Sequence, residues 1–165
     1  MGVHIANDLR WNKHVHEVTS KANKLLGMLR RNLYFCTKDV RETAYLRLVR
    51  PILEYAGTVW YPNCLHLEND IEKVRKRTGR FAMNNYSFEE GSMASIMNEL
   101  GWKQLKQRRQ ENRLILLHKG LNGYANIPIS DINQNKRKQR KGHNQIPHAR
   151  TDIFKDSFIP KTLKD

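Results

Sequence analysis

Clustered carboxylates are the first groups to consider, because two-metal phosphoryl-transfer sites hold Mg²⁺ with Asp and Glu side chains, two of them usually adjacent. The closest clusters in this chain are Asp70 with Glu72 and the pair Glu89-Glu90. The first lies in a charged helical segment, the second lies in a polar turn, and no Asp-Asp pair occurs in the sequence. We interpret both clusters as solvated charges and assign no catalytic residue.

Histidine and cysteine are spaced poorly for a metal or catalytic site. His14 and His16, like Cys64 and His66, are two residues apart and so point to different sides of a helix, whereas zinc ligands usually follow CxxC or HxxxH spacing. No phosphate-binding glycine loop, HExxH or Gly-x-Ser-x-Gly motif occurs. Cys36 and Cys64 indicate reduced thiols, and therefore an intracellular protein, cytoplasmic or nuclear. Because the ligand spacing is poor and the motifs are missing, no metal or other cofactor is expected.

Basic side chains are the remaining groups with binding chemistry. The chain of 165 residues has 30 Lys and Arg against 16 Asp and Glu, a net charge of +14. This excess predicts RNA or DNA as a sequence-independent partner, because the planar guanidinium fork donates two parallel hydrogen bonds to phosphate. The predicted contacts are Arg30, Arg31, Arg77, Arg80, Arg108, Arg109, Lys136, Arg137, Lys138, Arg140 and Lys141.

Each basic run has an alternative interpretation as the solvated side of an amphipathic helix. The charge is uneven along the chain: residues 1–35 and residues 92–123 each have six basic and two acidic side chains, whereas residues 67–91 have five of each. The repeated imbalance favours a polyanionic partner for the set as a whole, although any one run stays ambiguous.

Aromatic residues are further candidates for nucleic-acid contacts, because bases can stack on their rings. Tyr34-Phe35, next to Arg30-Arg31, is the better stacking candidate, although packing is the favoured interpretation there as well. The other large aromatics, Trp11, Trp60, Phe81 and Trp102, are expected to pack in the core or at helix ends.

Apolar periodicity predicts a mainly α fold, a bundle of about five helices with a short N-terminal strand. Gly2–Ile5 alternates like a strand, Thr37 and Ser92 are predicted helix N-caps, and Pro51 is expected to kink a long second helix. The predicted helices run from about Asn12 to Leu33, from Thr37 to Pro62-Asn63, from Leu67 to Tyr86, from Ser92 to Gly101, and over residues 103–122, with Leu105, Leu114, Leu117 and Leu121 facing the core.

The predicted domains are a strand and turn at 1–10, a helical domain at 11–123 and a basic, largely irregular tail at 124–165 that includes KRKQRK. No apolar run approaches the ~18–20 residues that span a bilayer, so no membrane partner is expected.

Six blocks of the sequence resemble, in order, the region after the palm in jockey-like non-LTR (LINE-type) retrotransposon reverse transcriptases. The most specific are LVRPILEYA, residues 48–56, and RTDIFKDSFIP near the C-terminus. The others are GVHIANDLRWNKHV, KANKLLGMLRRNL, VRKRTGRFAMNNY and LGWKQLKQRRQENRLILLHKGLNG.

The resemblance implies that Gly2–Ile5 corresponds to the end of the palm, and that the helices correspond to the thumb, which holds the template–primer duplex during RNA-directed DNA synthesis. The fingers, the palm with its paired aspartates and Mg²⁺, and any endonuclease are missing, so no polymerase activity is expected of this chain. The family usually continues into Trp-Asn-x-Leu-Pro where this chain stops at Asp165, which suggests a degenerate copy of a transposable element.

Two functions follow as hypotheses. The first is a non-catalytic, thumb-like module that binds template–primer RNA or DNA through phosphate. The alternative is an inert or protein-interaction remnant, which self-associates through the apolar face of the first helix and Gly2–Ile5 that a missing palm would leave exposed.

Overall fold

The computed structural model describes residues 2–7, 10–62, 64–126 and 158–164. Within these ranges the protein is mainly helical, as predicted, and no strand is present at Gly2–Ile5, so the predicted strand is wrong. Among the described residues, this segment has no neighbouring strand to supply backbone hydrogen bonds. The helices are α1 (Asn12–Asn32), α2 (Lys38–Ala44), α3 (Arg50–Glu54), α4 (Leu65–Met83), α5 (Ser92–Leu100), α6 (Leu105–Leu121) and a C-terminal helix, Phe158–Lys164.

The chain divides into two compact units, Met1–Lys106 and Gln107–Asp165, with the boundary inside α6. The first unit contains the main core. In the second unit, Leu117 is buried and packs with Phe158, Ile159 and Leu163. The predicted tail therefore contains a helix at its C-terminal end, and its basic run at 136–141 lies outside the described residues.

The core of the first unit lies between α1 and α4. One side of α1 is apolar at three- and four-residue spacing, and Val15, Ala22 and Leu26 on that side are buried. Ile71 and Val74 of α4 are buried in the same cluster. Because both helices bury a single stripe, their opposite sides are left to charged residues.

The predicted second helix is divided into three parts. A π-helical turn, Tyr45–Val49, separates α2 from α3 and ends two residues before Pro51. Proline cannot donate to the carbonyl four residues earlier, and its ring clashes with that carbonyl in a regular α-helix. The wider π turn accommodates the ring without ending the helix.

This helix ends at Glu54, earlier than predicted, because Trp60 takes part in the turn that follows. Tyr55 is extended, Ala56 is left-handed at φ 51°, and the Trp60 indole N–H donates to the Tyr55 carbonyl at 2.8 Å. Trp60 is fully buried. A buried indole requires a hydrogen-bond acceptor, and the freed carbonyl provides it.

Helix α5 packs on α4 at Gly79, where a methyl group would meet Ile96 Cγ2 at 3.3 Å and overlap the end of Met97. A side chain at this position would force Met97 and Ile96 to shift, so the close approach of the two helices favours glycine. Helix α5 ends as predicted at Gly101, which is left-handed at φ 62°. In α6, Leu105 and Leu117 are buried as predicted, whereas Leu114 and Leu121 are exposed, so their predicted place in the core is wrong.

Candidate nucleic-acid interface

Helices α1 and α4 lie side by side and end at the same end of the first unit. Arg77 donates to Asn23 Oδ1 at 3.2 Å in the middle of the pair. In the last turn of α1, the Arg30 guanidinium carbon lies 5.0 Å from the centroid of the ring of Tyr86, three residues after the end of α4. This second contact joins the last turn of α1 to the loop that directly follows α4, so the C-terminal ends of the two helices lie near each other.

Positive side chains line the solvent side of this helix pair. On α1 they are half-buried or exposed in its second half, and on α4 they occupy the C-terminal half. This surface, the α1–α4 basic face, consists of Lys24, Arg30, Arg31, Lys76, Arg77 and Arg80.

Within the described part of the chain, no carboxylate forms an ion pair with any residue of the α1–α4 basic face. The acidic residues of α4 are used elsewhere. Glu68 accepts from Lys106 at 3.1 Å and from the Tyr61 hydroxyl at 2.6 Å, and Asp70 pairs with Lys73 at 2.8 Å. The equal numbers of acids and bases in residues 67–91 therefore conceal a separation of charge along α4.

Arg75 shows what a structural arginine looks like in the same helix. Its Nε donates to Glu72 at 2.6 Å, and its Nη1 donates to the Trp102 carbonyl at 2.9 Å. Arg75 is 4% exposed. Its charge is neutralised by Glu72, and its Nε and Nη1 donors are occupied within the fold, so this buried arginine is not presented to a ligand.

The loop after α4 brings two aromatic rings to the basic face. Arg80 lies 4.2 Å from the centroid of the Phe88 ring, and Arg30 lies over the Tyr86 ring. Phe88 is 82% exposed and Tyr86 is 41% exposed. Sequence reasoning missed both rings, because no periodicity or motif places residues 86 and 88 beside Arg30 and Arg80.

The predicted stacking pair lies at the same end of α1. Tyr34 and Phe35 contact each other edge to face at 5.0 Å, and Phe35 is 96% exposed. The packing interpretation is therefore wrong for Phe35. The large aromatics follow their prediction: Trp60 and Phe81 are buried, and Trp11 and Trp102 pack against the core.

The remaining predicted contacts fall outside this face. Arg108 is half-buried and Arg109 is 3% exposed, so the Arg109 guanidinium is enclosed rather than presented at the surface. Both belong to the second unit. The tail contacts Lys136, Arg137, Lys138, Arg140 and Lys141 lie outside the described residues.

Among residues 2–7, 10–62, 64–126 and 158–164, no three His, Cys, Asp or Glu side chains are grouped so that they could hold a metal ion. Cys36 and Cys64 are free thiols. In the same part of the chain, no helix combines the length and apolar character needed to cross a bilayer. No protein-family model, curated protein or solved structure matches the chain.

Proposed function

We propose that this protein binds RNA or DNA through phosphate and without base specificity, using the α1–α4 basic face. The observation that carries the proposal is that six basic side chains on one side of a helix pair have no carboxylate partner in the described residues. Cations on one surface repel one another when no carboxylate neutralises them, and a phosphodiester strand removes that repulsion.

Position at a helix end does not by itself carry this proposal. Arg30 and Arg31 lie in the last turn of α1, and Arg80 lies in the last turn of α4. Cations there stabilise any helix by about 0.3–1 kcal/mol through the helix dipole. The dipole does not explain Lys24, Lys76 or Arg77, which lie earlier in the helices and widen the face in both directions.

The sequence resemblance specifies the biological setting of the proposal. The protein is proposed to be part of the region that follows the palm in a LINE-type RNA-directed DNA polymerase, with a template–primer duplex or its single-stranded template as the bound nucleic acid. In that role the helices hold the strand and perform no chemistry. Mg²⁺ and the catalytic aspartates belong to the palm of such an enzyme.

Two double variants test the proposal with the same loss of charge. Arg77→Ala with Arg80→Ala removes two cations of the basic face. Lys38→Ala with Lys106→Ala removes two cations that are paired with Glu99 and Glu68. Binding of a fluorescent RNA–DNA hybrid is measured by anisotropy at low salt.

The first variant is expected to weaken binding by at least ten-fold, on the order of 1.4 kcal/mol, and the second by much less. Equal losses of affinity in the two variants would show that net charge alone attracts the strand and that the α1–α4 basic face is not a specific binding site. No binding by the wild-type protein would refute the proposal entirely.

Self-association is less well supported than nucleic-acid binding. The apolar stripe of α1, expected to be exposed under that alternative, is instead buried, and Val3 packs against the core. Ile5 is the exposed apolar residue of the N-terminal segment. Light scattering and an RNA mobility-shift assay distinguish the two functions. An interaction remnant would form salt-insensitive oligomers that do not bind RNA. A binding module would be a monomer that retards labelled RNA on a gel.

A further inference from the structure

We propose that Tyr86 and Phe88 form a stacking platform for unpaired bases, so that the preferred ligand of the basic face is single-stranded nucleic acid rather than a duplex. This inference rests on the proposed function and names the substrate class of the same site. The juxtaposition that supports it is two exposed rings, each beside an arginine that has no carboxylate partner among the described residues.

The loop that presents the rings is built by backbone hydrogen bonds. Asn84 is left-handed at φ 49°, and its N–H donates to the Phe81 carbonyl at 3.2 Å. The next N–H, that of Asn85, donates to the Arg80 carbonyl at 3.0 Å. This pair of bonds is a Schellman motif, which ends the helix and reverses the chain within two residues. Tyr86 is thereby directed toward α1.

Side-chain bonds hold the rest of the loop. The Ser87 N–H donates to Asn85 Oδ1 at 3.0 Å, and the Glu89 N–H donates to Ser87 Oγ at 3.2 Å. Phe88 lies within the second of these turns, directly after the first. A ring held on a hydrogen-bonded turn loses less conformational freedom when a ligand stacks on it than a ring on an unsupported chain.

The rings are exposed, although burial of their apolar area would stabilise the fold. Fully burying a phenylalanine side chain contributes about 1.5–3 kcal/mol, and Phe88 leaves most of its surface in water. Arg80 covers one part of the ring with its guanidinium, and Arg30 does the same at Tyr86. The surface left open on each ring is flat, apolar and next to a cation.

A nucleotide matches this surface because it combines an aromatic base with a phosphate. Its π-face stacks on the ring, and its phosphate lies within reach of the guanidinium groups. In a duplex the base faces are covered by neighbouring base pairs, so only the phosphates are available. Single strands therefore gain a stacking contribution that duplexes lack.

The experiment compares a single strand of about 12 nucleotides with a duplex of the same sequence, using anisotropy at low salt. Phe88→Leu keeps an apolar side chain but removes the aromatic face, and Tyr86→Leu does the same at the second ring. Tyr55→Leu is the matched control, because Tyr55 is 42% exposed and has no arginine over its ring. Circular dichroism establishes that each variant is folded.

The wild-type protein is expected to prefer the single strand. The substitutions at Tyr86 and Phe88 together are expected to weaken single-strand binding on the order of ten-fold, equivalent to about 1.4 kcal/mol, and to leave duplex binding unchanged. A single strand containing 5-iodouracil should form photo-crosslinks in the peptide that contains Tyr86 and Phe88. The Tyr55 variant should behave as the wild-type protein.

Equal binding of both ligands, or equal losses for both in the ring variants, would overturn the stacking platform while leaving phosphate binding intact. Crosslinks confined to other peptides would also overturn it. If neither ligand binds the wild-type protein, the proposed function fails together with this inference.

Discussion

Glu72 and Arg75, one turn apart on α4, form an ion pair at 2.6 Å that also fixes the segment before α6. Glu72 Oε1 accepts from the backbone N–H of Leu105 at 2.6 Å, and Arg75 donates to the carbonyl of Trp102. Two charged side chains thus satisfy backbone groups at the start of a helix, where N–H groups have no partner within the helix. The charges of Glu72 and Arg75 therefore serve the fold, unlike those of the α1–α4 basic face.

Removing one partner of this pair should destabilise the fold strongly. Glu72→Gln leaves the 5% exposed side chain of Arg75 without its counter-charge, and the free energy of unfolding should fall by about 3 kcal/mol. Urea denaturation measures the change. Glu99→Gln is the control, because its pair with Lys38 is exposed, and it should have no measurable effect. A similar result for both variants would contradict a structural role of the Glu72–Arg75 pair.

Two helical glycines should respond to substitution in opposite directions. At Gly27 in α1 an added methyl group meets nothing within 4 Å, so Gly27→Ala should raise the free energy of unfolding by about 0.5–1 kcal/mol. Gly79 faces α5, and Gly79→Val should lower it by about 1–3 kcal/mol, because Ile96 and Met97 must move. Thermal unfolding compares the two. Stabilisation by Gly79→Val would show that α5 does not pack closely on α4.

Stability at high pH should depend on Tyr45. Burial raises the pKa of the Tyr45 phenol above its ordinary value of 10.0, and the ring stacks on Trp102 at 4.0 Å. The unfolded chain releases this proton more readily than the folded one, so the contribution is complete below pH 10.0 and is lost as the pH rises toward the folded-state value. Tyr45→Phe should therefore flatten the loss of stability above that pH. An unchanged alkaline profile in the variant would contradict this.

Helix content was predictable where the apolar period is regular. Asn12–Asn32 follows the period, and Gly101 ends α5 as glycine commonly does. Boundaries set by tertiary contacts were not predictable. Helix α3 ends at Glu54 because Trp60 requires the next carbonyl, and α4 ends at Met83 because Asn84, an uncommon left-handed residue, reverses the chain. Gly91, rather than Ser92, precedes the first turn of α5 as its N-cap.

The position of the α1–α4 basic face was predictable in part. Arg30, Arg31, Arg77 and Arg80 could be chosen from charge runs, and they lie on the α1–α4 basic face. The same criterion selected Arg109, which is buried, since a charge run does not reveal which side of a helix faces the interior. Nor does a count of charges reveal that the acids of α4 are occupied by Lys73, Arg75 and Lys106.

The salt dependence of binding is the most direct test of the α1–α4 basic face. If its six cations each neutralise one phosphate, the logarithm of the association constant should fall against the logarithm of salt concentration with a slope of about −5 on duplex DNA. Arg77→Ala with Arg80→Ala should reduce the magnitude of that slope by about 2. A slope near zero for the wild-type protein, or the same slope for the variant, would contradict phosphate binding at this face.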